Sequence, residues 1–291
     1  MTFWTGFLLT LLAAASLNAP QQLTNATDDA ASKNRGASEP NTTSAAARKR
    51  DVETVTRNRM SSVELKWRFG GREQRGWTIY FPLISKAVGA SAGPDSEDFA
   101  KAVGRWQESR AIHQTKVVDN ETWSKMIEEF QSRRIKKRDY PSAQDLVVAP
   151  ASEFYDPDRP VELRQVESAT YAAYKRMVAD AEKELSPHLS ANESQCVGRY
   201  LKIISAFRTR EHQEQLRKSA PHSGRAGLAV NSPHFTGRAL DLYVGGEPVS
   251  TSESNRLLQT STPVYKWLVE NAARYGFRPY FYEPWHWEYL P

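Results

Sequence analysis

Cysteine is almost missing from this chain, since Cys196 is the single cysteine among 291 residues. One cysteine cannot form an intramolecular disulfide, and it cannot build a metal cluster from cysteine ligands. The sequence therefore excludes a disulfide-stapled scaffold and a cysteine-based zinc site. Any metal site in this chain has to rely on histidine and carboxylate ligands.

A strong charge imbalance is also missing. The formal net charge is +5 with a pI near 9.2, and much of the excess lies in local basic runs. This charge distribution does not indicate a nucleic-acid-binding protein, although it is compatible with binding to an anionic polymer matrix. With 40% hydrophobic and 25% charged residues, the composition is ordinary for globular protein, and the length suffices for two modest domains.

The amino-terminal sixty residues contain one apolar run and then almost no large apolar side chains. The run from Phe3 to Leu17 is shorter than the roughly 20 residues of a full membrane span. It is typical of a signal peptide over residues 1–19, with an uncleaved amino-terminal anchor as the alternative. Residues 20–60 are rich in Ala, Ser, Thr, Asn and charges, and we predict a disordered linker there.

Residues 61–140 are predicted to form a small, mainly helical domain that ends in a basic linker. Apolar residues recur at helical spacing within two segments. The segments Phe99-Ala-Lys-Ala-Val-Gly-Arg-Trp106-Gln107 and Val117-Val-Asp-Asn-Glu-Thr-Trp123 resemble the small helical peptidoglycan-binding domain. The alternative is a generic helical core in which Asp119 or Thr122 caps the second helix. The run Arg133-Arg-Ile-Lys-Lys-Arg138 is expected to be a solvated linker.

Residues 141–291 are predicted to form an α+β domain with a small mixed or antiparallel sheet and flanking helices. An apolar stripe predicts a long helix over residues 161–185, and Thr262 with Pro263 predicts a helix that ends at Gly276. A shorter helix is predicted over residues 210–218. The predicted strands cover residues 200–207, 238–244, 277–282 and 285–289.

Two short segments of this domain carry the residues that favour chemistry. In the strand over residues 238–244, alternation places Asp241 away from the aliphatic face, and His234 lies just ahead of Gly237, where the chain can turn. In the last strand, His286 points to the face opposite Trp285 and Trp287. Two imidazoles and one carboxylate leave a fourth position open on a zinc ion, as catalytic zinc sites do.

A glutamate accompanies these ligand candidates. Glu283 lies three residues before His286, so it can act as a base beside a metal without occupying the coordination sphere. Taken singly, His234 is equally typical of a structural histidine whose ring nitrogens are hydrogen-bonded. The last strand, taken alone, favours a structural role in which its aromatic residues pack and its charged residues have no function. Asp241 in an apolar strand is harder to explain without a partner, because a buried carboxylate needs compensation.

Together the segments resemble the VanY-type D-alanyl-D-alanine carboxypeptidases, zinc metallopeptidases that share the fold of the hedgehog signalling domain. The stretch Ser232-Pro-His-Phe-Thr-Gly-Arg-Ala-Leu-Asp241 matches the family's Ser-x-His-x-x-Gly-x-Ala-x-Asp motif, and Glu283-Pro-Trp-His286 matches its Glu-x-x-His motif. Ser205-Ala-Phe-Arg208-Thr corresponds to its Ser-Gly-Tyr-Arg-Ser segment. Departures such as Pro233 and Phe235 put substrate preference in doubt and remove no group that the chemistry requires.

The resemblance implies a zinc site and a substrate. It implies His234, Asp241 and His286 as Zn²⁺ ligands, Glu283 as general base, and Arg208 as the residue that stabilises the oxyanion and holds substrate. It also implies that Ser232 and Gln213 bind substrate. The implied partner is a peptidoglycan stem peptide that ends in D-Ala-D-Ala. Separately, the amino-terminal apolar run predicts an exported protein in the periplasm or at the cell wall, and the resemblance to a peptidoglycan-binding domain implies a glycan contact through residues 61–131.

Three other functions remain open at this stage. An endopeptidase or an L,D-carboxypeptidase can be built on the same scaffold, because specificity depends on pocket walls that the motifs do not reveal. A wall-binding protein with a purely structural zinc is the alternative from another class. The intact Glu283 argues against it, since a binding module needs no base beside an open metal site.

Overall fold

A computed structural model describes residues 42–186, 199–219 and 228–291 of the chain. Residues from Thr43 to Pro291 form one compact unit. The predicted signal peptide or anchor at 1–19 lies outside the described residues, as does the predicted linker up to residue 41. In the part that is described, no helix is long and apolar enough to cross a membrane.

The amino-terminal part of the compact unit is mainly helical. It contains a β-hairpin and four helices. The elements are α1 (Thr42–Glu64), β1 (Lys66–Phe69), β2 (Arg72–Arg75), α2 (Phe81–Val88), α3 (Glu97–Ser109) and α4 (Asn120–Ser132). The two predicted helical segments are thus present as α3 and α4. Asp119 caps α4, because its carboxylate accepts the Thr122 backbone N–H at 3.0 Å.

The prediction of a disordered linker through residue 60 is wrong for its last part, because α1 is helical from Thr42. Polar side chains hold this helix in place. The Asn58 amide donates to Lys116 O at 2.8 Å and its oxygen accepts Val118 N–H at 2.9 Å. Ser61 also contacts Val118 and Trp77. Apolar periodicity does not reveal a helix that docks through buried hydrogen bonds.

The carboxyl-terminal part contains the remaining strands and helices. They are β3 (Leu146–Val148), β4 (Gln165–Glu167), α5 (Ser168–Leu185), β5 (Ile203–Ser205), α6 (Arg210–Ser219), β6 (Ala239–Leu242), α7 (Glu253–Ser261), α8 (Pro263–Asn271), β7 (Phe277–Tyr280) and β8 (Glu283–Tyr289). Strands β5, β6, β8 and β7 form an antiparallel sheet in that order. The predicted α+β class with a small antiparallel sheet is confirmed.

One helix begins later than predicted. The segment 161–185 is not a continuous helix, because residues 165–167 form β4 and pair with β3. Helix α5 begins at Ser168, where the Glu167 carboxylate accepts the Thr170 backbone N–H at 2.7 Å. The apolar stripe of α5 is buried as predicted, from Thr170 to Leu185. Val166 belongs to the same apolar pattern but is buried from a strand, which the periodicity cannot distinguish.

A single hydrophobic core contains residues from both sides of residue 140. Phe281, in the turn between β7 and β8, stacks on Tyr80 with ring centroids 4.0 Å apart. Trp67 and Trp123 pack edge to face at 5.3 Å beside them. The boundary between domains 61–140 and 141–291 stays a prediction. The helical part nonetheless supports the turn from which the last strand begins.

Candidate active site

His234 is presented by a short 3-10 turn, Pro233–Thr236, that precedes β6. Gly237 ends this turn with φ of 65°, a conformation that other residues rarely adopt, and a Cβ there would lie 2.9 Å from the Glu167 nitrogen. His234 Nδ1 lies 2.7 Å from the Ala206 carbonyl oxygen and must donate to it. The ring therefore keeps Nε2 free of a proton, and Nε2 points at Asp241 Oδ1, 3.2 Å away.

Asp241 lies on β6, buried between the two histidines and an arginine. Its Oδ2 accepts a hydrogen bond from Arg208 Nη2 at 2.5 Å, while Oδ1 faces both His234 and His286. Burial acts to raise the pKa of this carboxyl, but His234 and Arg208 outweigh it and hold the pKa well below its usual range. Asp241 is therefore ionised and directs one oxygen to the imidazoles.

His286 lies directly opposite Asp241 in the pairing of β6 with β8. Its Nδ1 is 2.9 Å from Asp241 Oδ1, and its Nε2 is 3.3 Å from Glu288 Oε1. Burial acts to lower the pKa of His286, yet the hydrogen bonds to Asp241 and Glu288 raise it to about 9. For His234, burial and then Arg208 lower the pKa to about 4. The two imidazoles thus differ in protonation.

Three donor atoms converge on one point: His234 Nε2, Asp241 Oδ1 and His286 Nδ1. Asp241 Oδ1 is 3.2 Å from His234 Nε2 and 2.9 Å from His286 Nδ1, and these separations suit a cation bound at about 2.0–2.2 Å from each atom. The outer nitrogen of each imidazole is occupied, by Ala206 O and by Glu288, as is usual for metal-bound histidines. A bound cation takes the place of the proton between His286 and Asp241. The donor set therefore fits zinc.

Glu283 is the first residue of β8 and lines the same cavity as the three donors. Its side chain is buried, and among the described residues no group donates a hydrogen bond to its carboxylate. Burial raises the pKa of Glu283 to about 7, with Asp241 acting in the same direction and His286 and Arg208 opposing it. A carboxylate that is buried, unpaired and beside a metal-ligand cluster is able to exchange a proton near neutral pH.

The cavity in front of the cluster measures about 530 Å³. Ser232 lines it, although its hydroxyl accepts the His234 backbone N–H at 3.3 Å. Gln213 is buried behind Arg208, donating to Ala229 O and accepting from Arg208 at 3.2 Å. Arg208 also donates from Nε to Ser205 Oγ at 2.7 Å. The proposed substrate contacts of these side chains stay predictions, and in this structure Gln213 and Ser205 hold Arg208 against Asp241.

Residues 164–291 match the family model described as VanY, D-alanyl-D-alanine carboxypeptidase. The match covers 128 of the 291 residues, and this part of the chain is similar to the VanY domain. That family consists of metallopeptidases that act on peptidoglycan stem peptides, and the match implies a peptidase. The match includes all seven predicted site residues, whereas no curated protein matches the chain.

Sequence analysis missed three arginines that line the cavity: Arg134, Arg138 and Arg159. All three precede the part of the chain that matches the VanY model. Arg134 and Arg138 belong to the basic run that was predicted to be a solvated linker, and that prediction is wrong for both side chains. Arg134 pairs with Glu288 and lies over the Tyr280 ring at 3.7 Å. No local signal marks them, because their partners are distant in sequence.

Proposed function

We propose that this protein is a zinc-dependent D-alanyl-D-alanine carboxypeptidase that hydrolyses the terminal peptide bond of peptidoglycan stem peptides. The observation that carries the proposal is the convergence of His234 Nε2, Asp241 Oδ1 and His286 Nδ1 in a cavity that Glu283 also lines. A structural zinc would need neither the open cavity nor the unpaired carboxylate.

The ligand residues hold the metal in a fixed orientation. Asp241 is kept ionised by Arg208, and each histidine is locked in one tautomer by its outer hydrogen bond. A zinc ion held by these three side chains supplies Lewis-acid activation of water and of the scissile carbonyl. The buried position of all three ligands excludes bulk water from the cluster.

Glu283 performs the proton transfers in this proposal. Its ionised carboxylate accepts the proton of the attacking water, and the protonated carboxyl then gives it to the nitrogen of the leaving D-alanine. A pKa of about 7 in the metal-free site suits both directions, because neither form is strongly favoured near neutral pH. Arg208 has five N–H donors, of which the described contacts use three, so the others remain to stabilise the oxyanion.

The first experiment incubates the zinc-loaded protein and its Glu283→Gln variant with a muropeptide that ends in D-Ala-D-Ala and follows the products by mass. Release of one alanine by the parent alone supports the proposal. The variant should keep its zinc and lose activity by several orders of magnitude, on the order of 10³-fold or more, because general-base catalysis and its coupled steps fail together.

A metal-content measurement separates the ligands from other histidines. His234→Ala and His286→Ala should each lose zinc, as measured by elemental analysis after dialysis. His113→Ala is the matched control, because His113 is an exposed histidine outside the cavity. Retention of stoichiometric zinc by both ligand variants would contradict the assignment.

The alternative activities give different products in the same assay. An endopeptidase cuts cross-linked peptides, and an L,D-carboxypeptidase shortens a tetrapeptide that has already lost its terminal alanine. A zinc-loaded protein that cleaves none of these substrates would favour the wall-binding alternative. The carboxypeptidase is preferred because the domain matches that family and retains Glu283.

The location and the amino-terminal part belong to the same proposal. A VanY domain acts on the cell wall, which suggests an exported protein. Residues 1–19 would then be the signal peptide or anchor. Residues 61–131 would bind peptidoglycan glycan through α3 and α4. A pull-down of this protein on purified wall, with the cavity blocked by a product peptide, tests that contact.

A further inference from the structure

The active-site cavity contains more positive than negative charge. Four arginines line it, against the carboxylates of Asp241 and Glu283. Two of the arginines have ion-pair partners: Arg208 pairs with Asp241, and Arg134 pairs with Glu288 behind the cavity wall. His212 adds no charge, because burial, Arg208 and Arg159 lower its pKa. A divalent cation would increase the positive excess, so the cavity favours an anionic ligand.

Arg138 is one of the two arginines without a carboxylate partner among the described residues. Its Nε donates to Ile135 O at 3.3 Å and its Nη1 donates to Asn231 O. These backbone contacts fix the side chain at the cavity wall and leave Nη2 available. Burial, followed by the neighbouring charge of Arg134, lowers the pKa of Arg138. The group is thus held, partly desolvated, beside another cation.

Arg159 is the second unpaired arginine. Its guanidinium carbon lies 5.7 Å from the ring centroid of the fully buried Phe154. Its Nε is buried and has no hydrogen-bond partner within the described parts of the chain. Orphaned buried donors are rare in folded proteins, and a ligand that supplies the acceptor explains one. The charges of Arg208 and Asp241 act on Arg159, those of Arg134 and Glu288 act on Arg138, and both arginines line the same cavity.

We propose that Arg138 and Arg159 make the cavity selective for peptides that carry a side-chain carboxylate upstream of the terminal D-Ala-D-Ala. This inference rests on the proposed function for the identity of the peptide. A side-chain carboxylate on the peptide supplies hydrogen-bond acceptors for these two unpaired guanidinium groups, in addition to the carboxylate at the end of the peptide, which this inference does not assign to them. Both arginines precede residues 164–291, so the match to the family does not assign them.

A carboxylate is the group that this chemistry selects. The planar guanidinium fork matches a carboxylate with paired hydrogen bonds, and such charge-assisted bonds are stronger than those to a neutral amide. Converting the side-chain carboxylate to a carboxamide removes the charge and one acceptor while it keeps the shape. The expected loss of affinity is about 10- to 100-fold for the amide peptide.

The experiment uses two pairs of synthetic peptides that end in D-Ala-D-Ala. One pair has glutamate or glutamine directly before the two alanines, and the other has them one residue earlier. Binding is measured by calorimetry on the zinc-loaded full chain with Glu283→Gln, which prevents cleavage. The kcat/KM for each peptide is measured in parallel with the parent protein. At least one pair should show the preference for glutamate.

The variants are Arg138→Gln and Arg159→Gln, made singly and together, both in the parent protein and in the chain with Glu283→Gln. The double variant should bind the glutamate and glutamine peptides equally, while its affinity for the glutamine peptide changes by less than about threefold. Lys136→Gln is the matched control, because it removes one cation from the same basic run, and Lys136 is exposed and outside the cavity. It should keep the full preference.

Three results would overturn the inference. They are equal binding of both peptides in each pair by the parent, a preference that survives in the double variant, and an equal loss of preference in Lys136→Gln. If the binding preference is present and depends on the two arginines but the parent cleaves none of the peptides, the subsite stands and the proposed function fails. The two proposals are therefore tested separately.

Discussion

Replacing Glu283 with glutamine should stabilise the metal-free protein at neutral pH while it removes the catalytic base. The side chain is 6% exposed, and burial is the main reason that its pKa rises from 4.5 to about 7. An ionised carboxylate at this position therefore weakens the fold. Sites that are arranged for chemistry commonly lower stability in this way.

The sign of the pH dependence follows from proton binding. Between the unfolded pKa of 4.5 and the folded value of about 7, the folded parent holds a proton that the unfolded chain has lost. The free energy of unfolding of the parent therefore decreases as the pH rises through this window. The glutamine variant has no such proton. The pKa difference between 4.5 and about 7 corresponds to a decrease of at most about 3 kcal/mol in the free energy of unfolding.

The assay is urea unfolding of chelator-treated parent and variant at several pH values from about 5 to about 8. The two curves should nearly coincide at the acid end, because the parent carboxyl is then protonated in the folded state. Above about pH 7 the variant should be more stable by up to about 3 kcal/mol, or about 6 to 12 °C in Tm. All other titrating groups are common to both proteins and cancel in the difference.

Zinc provides the internal check on this prediction. A bound cation near Glu283 favours its ionised form, so saturating zinc should reduce the gain from the substitution. A difference between parent and variant that is constant from about pH 5 to about pH 8 would refute the reasoning, because it would show that the carboxyl does not change its charge in this window.

Three further changes test the geometry of the site. Lowering the pH should reduce kcat/KM as Glu283 becomes protonated, with a midpoint at or below about 7, and a pH–rate profile that is flat to about pH 4 contradicts its role as base. Glu288→Gln should destabilise the protein by about 3 kcal/mol and weaken zinc binding, because Glu288 accepts hydrogen bonds from Arg134, Ile135 N–H and His286. Urea unfolding measures the stability and zinc titration measures the affinity. An unchanged zinc affinity would exclude a role of Glu288 in positioning His286. Phe281→Ala should lower the free energy of unfolding by about 3–5 kcal/mol, and urea unfolding of the variant should still show a single transition. Two separate transitions would show that the two halves of the core unfold independently.

The candidate ligand residues, which the structure brings together, could be found from the sequence because the relevant signals are local. Alternation along a strand fixes which face Asp241 and His286 occupy, and the antiparallel pairing then places them opposite each other. Gly237 and Gly276 end the 3-10 turns Pro233–Thr236 and Ala272–Tyr275 with positive φ angles. The α+β class follows from the same local patterns.

The cavity wall could not be predicted, because its contacts span long distances along the chain. Ile135 N–H donates to Glu288 at 2.7 Å across 153 positions, and no periodicity or spacing encodes that pair. A basic run looks the same in sequence whether its side chains are solvated or pointed into a cavity. Helix α1 was missed for a related reason, since polar side chains such as Asn58 dock it against a distant loop.

Glu288 links His286, which local sequence signals identify, to contacts that are distant in sequence. It accepts from the outer nitrogen of a metal-ligand histidine, and it receives its own hydrogen bonds from Arg134 and Ile135, which lie outside the VanY match. Burial acts to raise the pKa of Glu288, but His286 and, to a smaller extent, Arg134 and the Ile135 amide lower it to about 2. An ionised Glu288 fixes the His286 tautomer that leaves Nδ1 free for the metal. The segment before residue 164 therefore helps to position His286, a candidate metal ligand, even though none of its own residues is a candidate ligand.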